Sequence, residues 1–298
     1  MHHYPRLKAG LIDTIICVFW VEPEFRNQPV ERMQTIYRHV TEDLAQSKHA
    51  RLCLSLEDAA LSPAPSQINI VLGLEGISFL ADDKHSLAER FTDLHKKSFN
   101  HMILAWNEVN VFASGTGSDV PAEISGLTQW GKAAVDEANR RNWMVDASHL
   151  DKTSFWDLYH HSNRPITASH SNARAICDNS RNLTDDQLKA ISSTGGIVGL
   201  NAYWQFIDPE NSTVDRFIDH AIHIADLIGV ESLGFGFDFL DYLAPYDFGA
   251  ASDGKTTTGL EDVTKIPALL ERMSARGFSN KELEAISYHN AMRILKNT

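Results

Sequence analysis

Cysteine is scarce in this chain. Cys17, Cys53 and Cys177 are the three it has, odd in number and far apart. That argues against a disulfide framework and fits a reducing cytoplasm. Basic runs are absent as well. Acidic residues outnumber basic ones 39 to 27, the net charge is −12, and neither an RNA-binding signature nor zinc-finger spacing occurs. Nucleic acid is thereby excluded as an expected partner. No hydrophobic run is long enough for a membrane span. The apolar stretch of residues 10–21, GLIDTIICVFWV, is short, β-branched and interrupted by Asp13, and the opening MHHYPRLKAG lacks the apolar core of a signal peptide. No phosphate-binding glycine fingerprint follows an apolar run, which weighs against a dinucleotide site. Finally, no linker and no residue-level repeat breaks the chain, so residues 1–298 read as one domain.

Against these absences stands a 43% apolar composition, enough for a full core. Seven apolar, β-branched runs read as strands: Leu11–Val21, Ile68–Leu74, His101–Ala105, Trp143–Ala147, Pro165–Ala168, Gly196–Asn201 and Leu233–Phe237. Helical spacing occupies Pro29–Lys48, Asp82–Lys97, Thr128–Asn142, Lys152–His161, Thr184–Ser193, Val214–Ile228, Gly259–Arg276 and Lys281–Leu295. Thr184 with Gln187 and Ser279 with Glu282 predict capping boxes. Two glycine-rich loops, Ser114–Gly126 and Ala244–Thr258, lie between elements. Strand–helix alternation means an α/β fold with a parallel sheet, either doubly wound or a (β/α)8 TIM-like barrel. The strand count is one short of a closed barrel.

Parallel α/β sheets place their sites at the carboxyl ends of the strands. Four polar residues fall there: Glu75, His149, His170 and Asp238. The two histidines end consecutive strands and stand 170 − 149 = 21 residues apart. Each taken singly has a structural explanation: a hydrogen-bonded histidine, a carboxylate at a helix N-terminus, an N-cap. Four at equivalent positions point instead to a metal-assisted hydrolytic site. A metal there would make bound water acidic and polarise a scissile carbonyl. Asp238 would take the water's proton and pass it to the leaving nitrogen. Arg181 has the planar fork that suits a substrate carboxylate, though an exposed arginine before a helix reads equally well from spacing. Cys177 falls in an expected short helix after His170 and is a poor nucleophile candidate. His160 and His161 sit at a helix end and read as solvated.

At these residues the sequence resembles the renal (membrane) dipeptidase family of zinc dipeptidases. The matching words are LGLEG at 72–76, NRRNWMVDASHL at 139–150, SHSNARAICDNSRNLTDDQLKAI at 169–191, GGIVGLN at 195–201, LGFGFDF at 233–239 and GLEDVTKIPALLERMSARGFS at 259–279. The resemblance runs from about Pro5 to the end. It implies a (β/α)8 barrel holding two zinc ions that hydrolyses dipeptides, and a homodimer. It makes Glu75 the carboxylate shared by both metals, His149 and His170 ligands of one of them, Arg181 the clasp on the substrate carboxylate and Asp238 the acid/base.

Two departures follow from the comparison with that family. Its first strand ends in a His-x-Asp motif that supplies further metal ligands. None occurs near this N-terminus, so the chain is expected to lack that strand and to have one metal site incomplete. His2 and His3 are poor replacements, because they precede a strand and should fall at its amino end. The second departure is Trp106, where many members carry a histidine that polarises the substrate carbonyl. Here Trp106 and Asn107 are the expected substrate-facing residues. The leading expectation is a metal-dependent dipeptidase. The alternatives are a non-catalytic homologue that binds a ligand or partner, or a related amidohydrolase acting on another small amide or a lactone.

Overall fold

The computed structural model describes residues 3–81, 85–117, 121, 125–243 and 254–297. By internal packing the chain forms two compact units, residues 12–167 with short terminal pieces and residues 168–293 with residues 5–11.

The first unit is built on a parallel sheet of β1 (Thr14–Phe19), β2 (Ala50–Leu52), β3 (Ile68–Glu75), β4 (Phe99–Ile103), β5 (Met144–Asp146) and β6 (Ile166–Thr167). The order is β1-β3-β4-β5-β6. β3 is its centre for a simple reason. INIVLGL is apolar at every position but Asn69, and a strand covered on both faces reads as a continuous apolar run rather than an alternating one. Every residue of β3 except Glu75 is buried. β1 pairs along Asn69–Leu74 on one side. On the other side β2 takes Ile68–Ile70 and β4 takes over from Leu72, with a register shift between Leu72 and Gly73. Glu75 is thus the last residue of the central strand, opposite Ile103.

The second unit holds a two-stranded parallel sheet, β7 (Val198–Leu200) and β8 (Leu233–Phe235), with Ala168 bridged to Val198. Gly199 and Gly236 explain the glycines of GGIVGLN and LGFGF. A Cβ at either position would collide with the carbonyl oxygen of Ser169, so the backbone carrying Ser169-His170 can lie against these strands only because both residues lack one.

All seven expected strands are found, and among the described residues there is an eighth, β2. The expectation of a missing barrel strand finds no confirmation in that count. β2 is three residues long and carries no alternating pattern of its own. It forms because β3 offers a free ladder edge below the point where β4 joins.

The helices follow their signals. Both capping boxes are present, Thr184 with Gln187 and Ser279 with Glu282. Lys152–His161 and Val214–Ile228 are helical over the expected residues. Three readings are corrected. The helix expected over Gly259–Arg276 begins at Ile266, because Gly259 sits at φ +85° and the Asp262 carboxylate caps a separate turn at Val263–Lys265. The last helix is continuous only in outline: Asn280–Glu284 passes through a wider turn at Ala285–His289 before Asn290–Asn297. Cys177 lies in a bend rather than a helix: its N–H reaches the Ala173 carbonyl, but the ladder goes no further and the Asn182 side chain takes the Cys177 carbonyl. Residues 82–84, 118–120, 122–124 and 244–253, parts of one expected helix and both glycine-rich loops, lie outside the described residues, as does His2.

Candidate active site

The first unit gathers Glu75, Trp106, Asn107 and His149. His149 follows β5 by three residues in a turn that no ordinary side chain favours, at φ +68°. Left-handed backbone at a non-glycine residue is costly and persists only where the surroundings impose it. Here the neighbouring loop imposes it. Thr116 donates its backbone N–H to the His149 carbonyl at 2.8 Å, Gly115 bridges Leu150, and Asp151 donates to the Ser114 carbonyl. Gly115 is required for this approach, because a Cβ there would meet the Trp106 carbonyl. The described part of the first glycine-rich loop therefore clamps His149 in place.

The imidazole of His149 is held at both nitrogens. Nδ1 lies 2.8 Å from the Asn107 side-chain oxygen, and Nε2 lies 2.9 Å from Glu75 Oε1. An amide oxygen can only accept, so Nδ1 donates to it while Nε2 faces the Glu75 carboxylate. Thr116 Oγ1 also donates to the same Asn107 oxygen, at 3.2 Å. An imidazole nitrogen beside a carboxylate oxygen, both largely buried, is a pair of ligand atoms suited to a divalent cation. The Trp106 ring lies 5.8 Å from that of His149 and 5.0 Å from that of Trp20.

The second unit gathers the remaining candidates. His170 follows Ser169, whose hydroxyl lies 2.7 Å from His170 Nδ1. Arg181 is 6% exposed, with its guanidinium 5.3 Å from the Phe206 ring and one terminal nitrogen 3.5 Å from the His170 carbonyl. A charged fork this deeply placed is not the exposed arginine that spacing alone allowed. The segment between them is stitched down by amides. Asn172 exchanges hydrogen bonds with Asn201, and Asn182 bonds the carbonyls of Cys177 and Phe206. His220 adds a further tie: its Nδ1 accepts from Ala173 N–H and its Nε2 donates to the Ile207 carbonyl. Burial pushes His220 down to about 4 and keeps it neutral.

Asp238 follows β8 by three residues at φ +54°, and its Oδ2 lies 3.3 Å from the Asn201 amide. Among the described residues five non-glycines have positive φ, and two of them are His149 and Asp238. That coincidence singles out both strand-end residues as places where the backbone is bent for a purpose. His160 and His161 lie at the end of their helix as expected, with His161 against Asp136 at 2.9 Å. Sequence reasoning missed the orienting bond from Asn107 to His149, the glycine contacts around Ser169, and His220. The glycines were visible as a pattern; the other two depend on where the chain folds back.

Comparison with known proteins converges on one family. The model of the membrane dipeptidase family, peptidase family M19, matches residues 2–298. An uncharacterized dipeptidase of Schizosaccharomyces pombe is 34% identical over 238 residues, 78% of this chain. The chain spans about half of that relative's length, 54%. Two solved structures superpose with TM-scores of 0.82 over 99% of this chain. One is dipeptidase AC, a metallopeptidase of family M19, 25% identical with 88% of its chain covered. The other is a metallopeptidase from Rhodobacter sphaeroides liganded with a phosphinate mimic of the dipeptide L-Ala-D-Ala, 24% identical with 89% covered. The fold class is therefore α/β of the TIM-like barrel kind.

Proposed function

Because the chain belongs to the membrane dipeptidase family, we propose that it hydrolyses the amide bond of a dipeptide at a metal centre held by Glu75, His149 and His170. The observation that carries this reading is the Glu75–His149 pair, with Nε2 2.9 Å from Glu75 Oε1 and Nδ1 2.8 Å from the Asn107 side-chain oxygen. Glu75 and His149 bring a carboxylate and an imidazole side by side in the first unit, and His170 is the second imidazole of the proposed donor set. Nitrogen and carboxylate donors without thiolate fit zinc. A divalent ion, when bound, supplies a water that is acidic at neutral pH and a Lewis acid for the scissile carbonyl.

The other roles belong to the chain's own side chains. Arg181 binds the substrate's terminal carboxylate, and its fixed fork orients the peptide. Asp238 accepts the proton of the attacking water and returns it to the amide nitrogen as the carbon–nitrogen bond breaks, so the products leave as an acid and an amine. Trp106 and Asn107 border the substrate. The family match across residues 2–298 supports a single catalytic domain, and three free cysteines support a reducing compartment such as the cytoplasm. No helix among the described residues is long and apolar enough to cross a membrane.

Metal content per folded chain, measured with hydrolysis of a dipeptide panel before and after chelation, tests the proposal. Bound zinc and an activity abolished by chelator and restored by zinc are expected; a protein without metal that cleaves no dipeptide would overturn it.

A further inference from the structure

Beneath His149 lies a second imidazole–carboxylate pair that the proposed chemistry does not use. His101 on β4 and Asp146 at the end of β5 are at most 1% exposed. β4 and β5 are adjacent, with Ile103 opposite Asp146 and His101 opposite Met144. Across this diagonal His101 Nε2 lies 2.9 Å from Asp146 Oδ2. The other oxygen, Oδ1, accepts the Ser148 backbone N–H at 2.8 Å. A buried carboxylate needs such donors, and bonds to a charged acceptor are the stronger kind.

We infer that His101 and Asp146 are positioning residues of the metal centre: together they hold the Ser148–His149 turn in the shape that presents His149 Nε2 beside Glu75. The inference rests on the metal reading above and extends it below the ligands. His101 touches Asp146, Asp146 holds Ser148 N–H, and the next residue is His149 with its left-handed backbone. Thr116 restrains the same turn from the other side through the His149 carbonyl. The Asp146 grip is thus one of the restraints that define this bend.

His101 is built for this one bond. Its Nδ1 is buried without a hydrogen-bond partner, and a Cβ on Gly73 would come within 2.5 Å of that atom. The ring is wedged against bare β3 backbone with a single polar contact to make. An apolar side chain would fill the space without burying an unmatched nitrogen. The imidazole is explained by what Nε2 does for Asp146.

The test compares His101→Gln, whose amide nitrogen reaches about as far as Nε2, with His101→Leu, which removes the donor. Zinc affinity of each metal-free protein is measured by competition with a chromophoric chelator, and the visible spectrum of the cobalt(II)-loaded protein reports ligand geometry. The expected result is a loss of about 10- to 100-fold in zinc affinity for His101→Leu with an altered cobalt spectrum, and substantial recovery of both in His101→Gln. If His101→Leu fails to fold, His101→Gln against Asp146→Asn carries the same comparison. Parent affinity and spectrum in folded His101→Leu, or equal losses in Leu and Gln variants, would overturn the inference by reducing the pair to packing. A separate control, His149→Ala, addresses the metal reading itself. Unchanged zinc affinity there would remove the centre, and the pair's role with it.

Discussion

Asn107 accepts a hydrogen bond from His149 Nδ1 at 2.8 Å, and this contact turns the other ring nitrogen, Nε2, toward Glu75. Asn107 sits in the loop after β4 and His149 in the turn after β5, so the ring of a candidate ligand is oriented by a residue from the neighbouring strand. Replacing Asn107 with leucine leaves the ring free to rotate and to exchange its proton. Zinc affinity should fall about 10- to 100-fold with little change in thermal stability, as measured by chelator competition beside a melting curve.

Asp238 is the proposed proton carrier, and its backbone is already bent at φ +54°. Asp238→Asn keeps the shape and removes the base. Turnover should drop by about 100- to 10,000-fold while KM and zinc content stay near the parent values. Full activity on every dipeptide the parent cleaves would refute the assignment.

Arg181 acts on binding. Arg181→Lys keeps the charge and loses the fork, so KM for free dipeptides should rise by at least about tenfold, whereas dipeptide amides, which lack the carboxylate, should be affected much less. Steady-state kinetics on matched acid and amide substrates reads the difference.

How far these residues were legible in the sequence depends on how local their signals are. Glu75, His149, His170 and Asp238 could be placed because each follows a β-branched run, and the strand's end fixes the residue's position. Asn107 was expected at the site, but its bond to His149 could not be foreseen, nor could His220. Their partners, His149 and the Ala173 amide, are 42 and 47 residues away, and neither residue carries a periodic pattern that says so. β2 was invisible for a related reason: three residues, Ala50–Leu52, cannot establish a period, and the neighbouring β3 edge alone makes them a strand.

His220 gives the protein an acid-sensitive tie. Its folded value of about 4 lies below the ordinary 6.5, because burial disfavours the charged ring. In the unfolded chain the ring takes up its proton as pH falls through about 6.5, while the folded protein resists until about 4. Stability is therefore whole above 6.5 and declines between 6.5 and 4, by an amount on the order of a few kcal/mol. Carboxylates such as Asp58, held low against burial by the Leu54 backbone N–H and then by Arg51, and Asp215, held low by Arg272, lose their contributions only at more acid pH. Urea unfolding across pH 4–7 should show this slope, and His220→Gln should flatten it.

Gly199 and Gly236 should tolerate no side chain. Either one changed to alanine drives a methyl group into the Ser169 carbonyl, and a loss of at least about 2–3 kcal/mol is expected from equilibrium unfolding, together with reduced zinc affinity through the adjoining His170.

The central strand has a consequence on a slower clock. β3 is laddered along one side by β1 and along the other first by β2 and then by β4, and all of it but the final glutamate is buried. Opening of one neighbour frees only the amides that face it, and the strand has no open edge. In heavy water, the protons of residues 70–74 should be among the last in the first unit to exchange, at rates that report the unfolding of the whole sheet rather than fraying of an edge. Glu75 stands at the end of the part of the sheet that keeps time longest.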